Sequence, residues 1–203
     1  MNLPDSVLLR KYHLEKMRLH GAHSTRALGW ETAFGQKARF DALAECLGDL
    51  TGKSILDAGC GHGDFRGYLD SRFEGLRYAG VDMIDEFLDI AIERYSHYPE
   101  TSFYAGNFLS SPLPVMDFII ASGSLNYRSA DPDFVFKTIS NLFQKCRCGL
   151  VFNLLRNTSV PMGMLVGYDP EVILAHCRKL SEKVEFRDGY YGEDYTIGLF
   201  RGV

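Results

Sequence analysis

The stretch ILDAGCGHGDF, Ile55 to Phe65, runs from an apolar segment through an acid into glycines at every second position, Gly59, Gly61 and Gly63. Residues without a Cβ let backbone groups approach a ligand closely, and a helix start behind them points its free amides the same way. A strand, a glycine turn and a helix open many ligand sites, so the stretch alone sets a type of fold and leaves the ligand open. Outward from it, short apolar runs alternate with amphipathic stretches. The runs are SILDA, RYAGV, SFYAG, MDFIIA and RCGLVFNLL, and helical patterns lie near 63–73, 84–95, 132–145 and 170–179.

This alternation predicts an α/β, doubly wound sheet, mostly parallel, with helices on both faces. Near its end KVEFRDGY and DYTIGLFRG follow each other across a short glycine-containing turn, so that pair is antiparallel and the sheet has seven strands. Asp131-Pro132-Asp133 and Asp169-Pro170-Glu171 each predict a helix start, with an acid at the cap and proline in the first turn. Residues 3 to 50 read as N-terminal helices, with Leu8, Leu9, Tyr12, Leu14, Phe34, Ala38, Phe40, Leu43 and Leu47 at helical spacing around a loop, HGAHSTRALGW. The 203 residues form one domain, 1–203: a helical cap over 1–50 and a core over 51–203.

Twenty-two basic residues against 26 acidic ones leave a net charge of -4 with no basic run, which argues against a nucleic-acid partner. No apolar stretch reaches the ~20 residues of a membrane helix. Five cysteines without a C-x-x-C pair or a leader segment predict a reduced, cytoplasmic protein, with Cys146 and Cys148 alternating along a strand and no metal site.

The glycine turn gains a partner in YAGVDM, whose apolar run ends at Asp82, roughly twenty residues on, where open α/β sheets place an acid against ribose hydroxyls. A dinucleotide fingerprint has its third glycine three residues after the second, but Asp64 stands there, and its charge would repel a pyrophosphate. The ammonium and sulfonium of S-adenosylmethionine meet no such repulsion. The G-C-G-H-G spacing after Asp57 resembles the first motif of class I S-adenosylmethionine-dependent methyltransferases. Asp82, AGNF, DFIIASGSLNY and the terminal hairpin follow in that family's order, and ALGW with DYTIGLFR is similar to a subgroup of small bacterial members.

The resemblance implies a Rossmann-like fold and S-adenosyl-L-methionine as cofactor. It implies that Gly59, Cys60, Gly61 and Gly63 hold the methionine moiety with Asp57 near its amino group, and that Asp82 takes the ribose. Met83 would pack on the adenine and Asn107 read its amino group beside Phe108, while Ala121 and Ser122 would contact the methionine moiety near the methyl. Asn107 departs from the Asp of many relatives.

The acceptor side is less defined. His20 and His23 read as bases or as solvated loop residues, Tyr127 and Asn153 as strand-end contacts, and His62 as a lining residue. Trp30, Gln36 and Arg39 read as a closure over the cofactor, with Arg39 on its carboxylate, or as helix packing. RNTSVPMGMLVGYDP reads as a lid over an apolar pocket or as core. The absence of an N/D-P-P-Y/F motif after the fourth strand favours a small-molecule methyl acceptor. A non-catalytic cofactor-binding module and an RNA or protein methyltransferase are the alternatives.

Overall fold

The computed structural model describes residues 3–70, 72–157 and 163–202. Two helices, α1 (Leu3–His20) and α2 (Ala33–Leu47), precede the sheet. The core then runs β1 (Ser54–Ala58), α3 (Asp64–Asp70), β2 (Arg77–Asp82), α4 (Asp85–Tyr95), β3 (Thr101–Ala105) and β4 (Met116–Ala121). It ends α5 (Phe134–Lys145), β5 (Cys146–Leu155), α6 (Pro170–Leu180), β6 (Lys183–Asp188) and β7 (Asp194–Phe200).

The seven strands lie in the order β3-β2-β1-β4-β5-β7-β6. Pairing is parallel from β3 through β5, while β7 runs antiparallel to both of its neighbours, β5 and β6. The predicted fold class is therefore the observed one. Every residue of β1 and β7 is buried, as strands covered on both faces require. Alternate residues serve opposite layers: Leu56, Ile119 and Leu150 join Ile139 and Leu142 of α5 and Ile173 of α6. Ile55, Ile120 and Val151 join Phe40 and Leu43 of α2 and Phe65 and Leu69 of α3.

The Asp169 reading is met, since its side chain accepts from Glu171 N–H and Pro170 takes the first turn. The Asp131 reading is corrected. There α5 begins at Phe134, and Asp131 instead accepts from Asp133 N–H at 3.0 Å and from Lys137, so the acid and proline form a turn ahead of the helix. Cys146 and Cys148 both lie on β5.

The first helix, α1, makes polar contacts with the rest of the fold. From α1, Asp5 accepts from Ser129 Oγ at 2.7 Å and Arg10 donates to Glu86 of α4 at 2.7 Å. A small apolar core of Ala27, Ile84 and Phe87 joins loop 21–32 to the start of α4. Among the described residues no helix is long and apolar enough to cross a membrane.

Candidate functional site

A cleft of about 600 Å³ opens at the carboxyl ends of β1, β2 and β4, where the strand order reverses. Doubly wound sheets bind their ligands at this switch point. The glycine turn forms the floor, and α1, loop 21–32, the start of α2, residues 163–165 and the mouth of the β6–β7 hairpin form the walls.

The glycines of the turn have positive φ, 83° at Gly59, 54° at Gly61 and 73° at Gly63. A Cβ on Gly59 would lie 2.5 Å from Ser124 Cβ, one on Gly61 would lie 2.6 Å from Leu28 Cδ2, and one on Gly63 would lie 2.9 Å from Phe103. The space they leave is taken by the chain's own side chains, so packing of the turn requires these glycines in addition to any ligand that approaches it. Gly59→Ala is expected to lower the stability of the ligand-free protein by about 1–3 kcal/mol, through overpacking and a left-handed alanine. Denaturant unfolding without cofactor checks this, and unchanged stability would return the glycine to a purely ligand-binding role.

Four amides of the turn, those of Gly59, Cys60, Gly61 and Gly63, are committed inward as well. Gly59 and Cys60 N–H donate to Val81 O, Gly61 N–H donates to Asp82 Oδ2 at 2.8 Å, and Gly63 N–H donates to Cys60 O. A pyrophosphate site needs such donors free. Two carboxylates line the cleft instead. Asp57 accepts from Tyr78 O–H at Oδ2, and its Oδ1 is buried with no partner among the described residues. Burial pushes the Asp57 pKa up to about 7, against the Tyr78 bond that lowers it. Asp82 accepts from Gly61 and Ile84 N–H, one at each oxygen, and burial raises its pKa too. A carboxylate accepts about four hydrogen bonds, so lone pairs for two ribose hydroxyls remain. These orphaned and partly used acceptors suit a cationic nucleoside and oppose an anionic one.

Asp64 closes the turn against its surroundings, accepting from Gln36 Nε2 at 3.1 Å, Arg94 Nη1 at 3.0 Å and Tyr95 O–H at 3.2 Å. Gln36 thus fastens α2 to the turn. Trp30 packs so closely on Gly123 that a Cβ there would overlap its Cη2. Arg39 lines the cleft, but its guanidinium forks onto Asp194 at 2.7 and 2.6 Å, beneath Trp30 and Tyr191 at 4.6 and 5.1 Å from the ring centroids. The expectation that Arg39 pairs a cofactor carboxylate is corrected here, because the chain supplies that carboxylate itself.

Of the residues expected to hold the cofactor, Asp57, Gly59, Cys60, Gly61, Asp82 and Ser122 line the cleft. Ser122 Oγ is buried without a partner among the described residues. Gly63, Met83, Asn107, Phe108 and Ala121 are not lining residues, and Gly63 is packed against Phe103 and Tyr95. Asn107 Oδ1 accepts from Leu109 N–H at 3.0 Å and shapes its own turn, Phe108 packs on the sheet core, Ala121 is buried within that core, and Met83 packs on the cap core while its neighbours Ile84 and Phe87 reach the cleft.

His20 and His23 are exposed and stand away from the cleft, and His62 is buried edge-on against Phe87 with both nitrogens unpartnered among the described residues. Asn153 lies within β5 and accepts from Gly123 N–H at 2.7 Å. Tyr127 does line the cleft, and its partner is a histidine that the sequence reading passed over. His13 of α1 is buried, with Nε2 2.8 Å from Tyr127 Oη and Nδ1 3.0 Å from Ala27 O. The signal was a period of four: Asp5, Leu9 and His13 are the buried face of α1, while Leu8 and Leu14 are exposed. Of the expected lid, Gly163, Met164 and Leu165 line the cleft, tied down by a bridge from Leu165 to Tyr127 and by Asn126 Nδ2 on Val166 O, whereas Pro161 and Met162 lie outside the described residues.

Sheet order, carboxylate-lined switch point and glycine turn make the chain similar to the class I S-adenosylmethionine-dependent methyltransferases. The methyltransferase domain family matches residues 55–145. A curated relative, magnesium-protoporphyrin O-methyltransferase of Rhodobacter capsulatus, is 32% identical over 59% of this chain, which spans about half (53%) of the relative's length. Two solved structures share the fold. Magnesium protoporphyrin IX methyltransferase of Synechocystis PCC 6803 with bound SAM has a TM-score of 0.73 at 15% identity, covering 99% of both chains. The N-methyltransferase NodS of Bradyrhizobium japonicum WM9 with S-adenosylhomocysteine has a TM-score of 0.69 at 16% identity, covering 93% of this chain and 98% of its own.

Proposed function

We propose that the protein transfers a methyl group from S-adenosylmethionine to an oxygen, nitrogen or carbon nucleophile of a small molecule. The observation that carries this reading is the polarity of the glycine turn: the amides of Gly59, Cys60, Gly61 and Gly63 are spent within the chain, while Asp57 and Asp82 offer acceptors to the cleft. When bound, the cofactor supplies an activated methyl group on a sulfonium, so no further electrophile is needed.

Each wall then has a task. Asp57 Oδ1, with Ser122 Oγ, receives the ammonium, and the spare lone pairs of Asp82 receive the ribose hydroxyls. Leu28, Trp30 and Tyr191 cover the turn and exclude water. Tyr12, His13, Lys16 and Tyr127, with Met164 and Leu165, shape the opposite end, where the acceptor is held in line with the methyl. Isothermal titration tests the ligand. S-adenosylmethionine and S-adenosylhomocysteine are expected to bind and NAD is not; tight NAD binding without response to the other two overturns the reading.

A further inference from the structure

The acceptor end of the cleft holds a hydrogen bond of fixed direction. A carbonyl oxygen only accepts, so the 3.0 Å contact of His13 Nδ1 with Ala27 O puts the ring proton on Nδ1. Burial, with a smaller push from Lys16, lowers the His13 pKa to about 4, so the ring is neutral and Nε2 carries a bare lone pair. Tyr127 O–H, 2.8 Å away, must therefore donate to Nε2. Burial also raises the Tyr127 phenol above its ordinary range, so it keeps that proton. Edge contacts from the rings of Tyr12, Phe87 and Tyr127, at 5.1, 5.1 and 5.4 Å, hold the imidazole in place. With its proton committed, the Tyr127 oxygen presents only lone pairs to anything else it meets.

We infer that His13 is a positioning residue that makes Tyr127 a hydrogen-bond acceptor, and that the methyl acceptor is a neutral hydroxyl or amine compound whose nucleophilic atom brings its own proton. The inference rests on the methyltransferase reading. A carboxylate has no proton to give and would set lone pairs against lone pairs. A phenol, alcohol or amine donates to Tyr127 Oη and thereby aims its lone pair. The nucleophile forms its bond to the methyl carbon as the carbon–sulfur pair returns to sulfur. Its proton passes to Tyr127 Oη while the Tyr127 proton passes to His13 Nε2, so one positive charge leaves the sulfonium and one appears on the imidazolium.

The test is binding to protein saturated with S-adenosylhomocysteine, using naphthol and naphthoate as size-matched probes at neutral pH. Naphthol is expected to bind at least about fivefold more tightly, the worth of one neutral hydrogen bond. His13→Gln keeps an acceptor near Tyr127 Oη and is expected to keep that preference. His13→Phe frees the tyrosine proton to turn toward the cleft and is expected to abolish or reverse it. Imidazole nitrogen NMR of the unmodified protein is expected to show His13 protonated at Nδ1 alone. Naphthol binding no tighter than naphthoate, absence of binding included, overturns the inference, as does a preference that survives in His13→Phe. Failure to bind S-adenosylhomocysteine at the outset would instead refute the methyltransferase reading.

Discussion

Asp194→Ala is expected to cost about 3–5 kcal/mol of stability, because it strands a guanidinium that the fold has already taken out of water. Arg39 and Asp194 are 10% and 4% exposed, and their side chains meet at two points. For a domain of this size the loss corresponds to a fall in melting temperature on the order of 10 °C. Replacing both partners with apolar residues of similar volume, Arg39→Met with Asp194→Leu, is expected to recover most of it, since the penalty belongs to the unpaired charge. The cycle is read by denaturant unfolding of the two single variants and the double one. Additive losses would show that the pair contributes nothing as a pair. The effect reaches the cleft as well, because Arg39 is the platform under Trp30 and Tyr191.

Asp57→Asn is expected to separate stability from binding. Asp57 is a buried acid whose pKa burial lifts to about 7, so the folded protein keeps a proton that the unfolded chain releases near the ordinary carboxylate range. Such a group favours the folded state at low pH, and its contribution erodes as pH climbs toward about 7. Removing the charge therefore stabilises the protein above that pH. Binding runs the other way. An ammonium selects the ionised form, so the dissociation constant for S-adenosylhomocysteine is expected to rise as pH falls below about 7, approaching tenfold per unit. In Asp57→Asn that dependence disappears, and affinity above pH 7 drops roughly ten- to hundredfold, the loss of one charge-assisted bond. Titration calorimetry across pH, paired with thermal melts, checks both. A variant that keeps the sloping profile would show that another group receives the ammonium.

The strands and most helices were legible because each apolar run has the length of a strand and each helix an amphipathic period. MDFIIA and SILDA are β4 and β1 residue for residue. The final hairpin was legible for lack of room for a helix between two strand-like runs. Its place in the sheet, with β7 inside and β6 at the edge, was not legible, because nothing local in either strand marks which of them pairs with β5. In the site, Asp57 and Asp82 were found because motif and strand end coincide. The Arg39–Asp194 pair was hidden, since nothing local marks a bond across 155 positions. His13 was hidden for a different reason: the buried face of α1 is largely polar, so a search for apolar periodicity ranked the exposed Leu8 and Leu14 above it.

The order of the strands has a consequence for how the protein is made. β7, with every residue buried, pairs with β5 on one side and β6 on the other, yet it is synthesised after both of them. Until it emerges, β5 presents an open edge along Leu150, Val151, Phe152 and Leu154, the kind of unpaired apolar strand that recruits other chains. The nascent protein thus has a vulnerable interval set by topology. The apolar edge of β5 is covered, and Asp194 is delivered to Arg39, by one and the same event, the docking of β7.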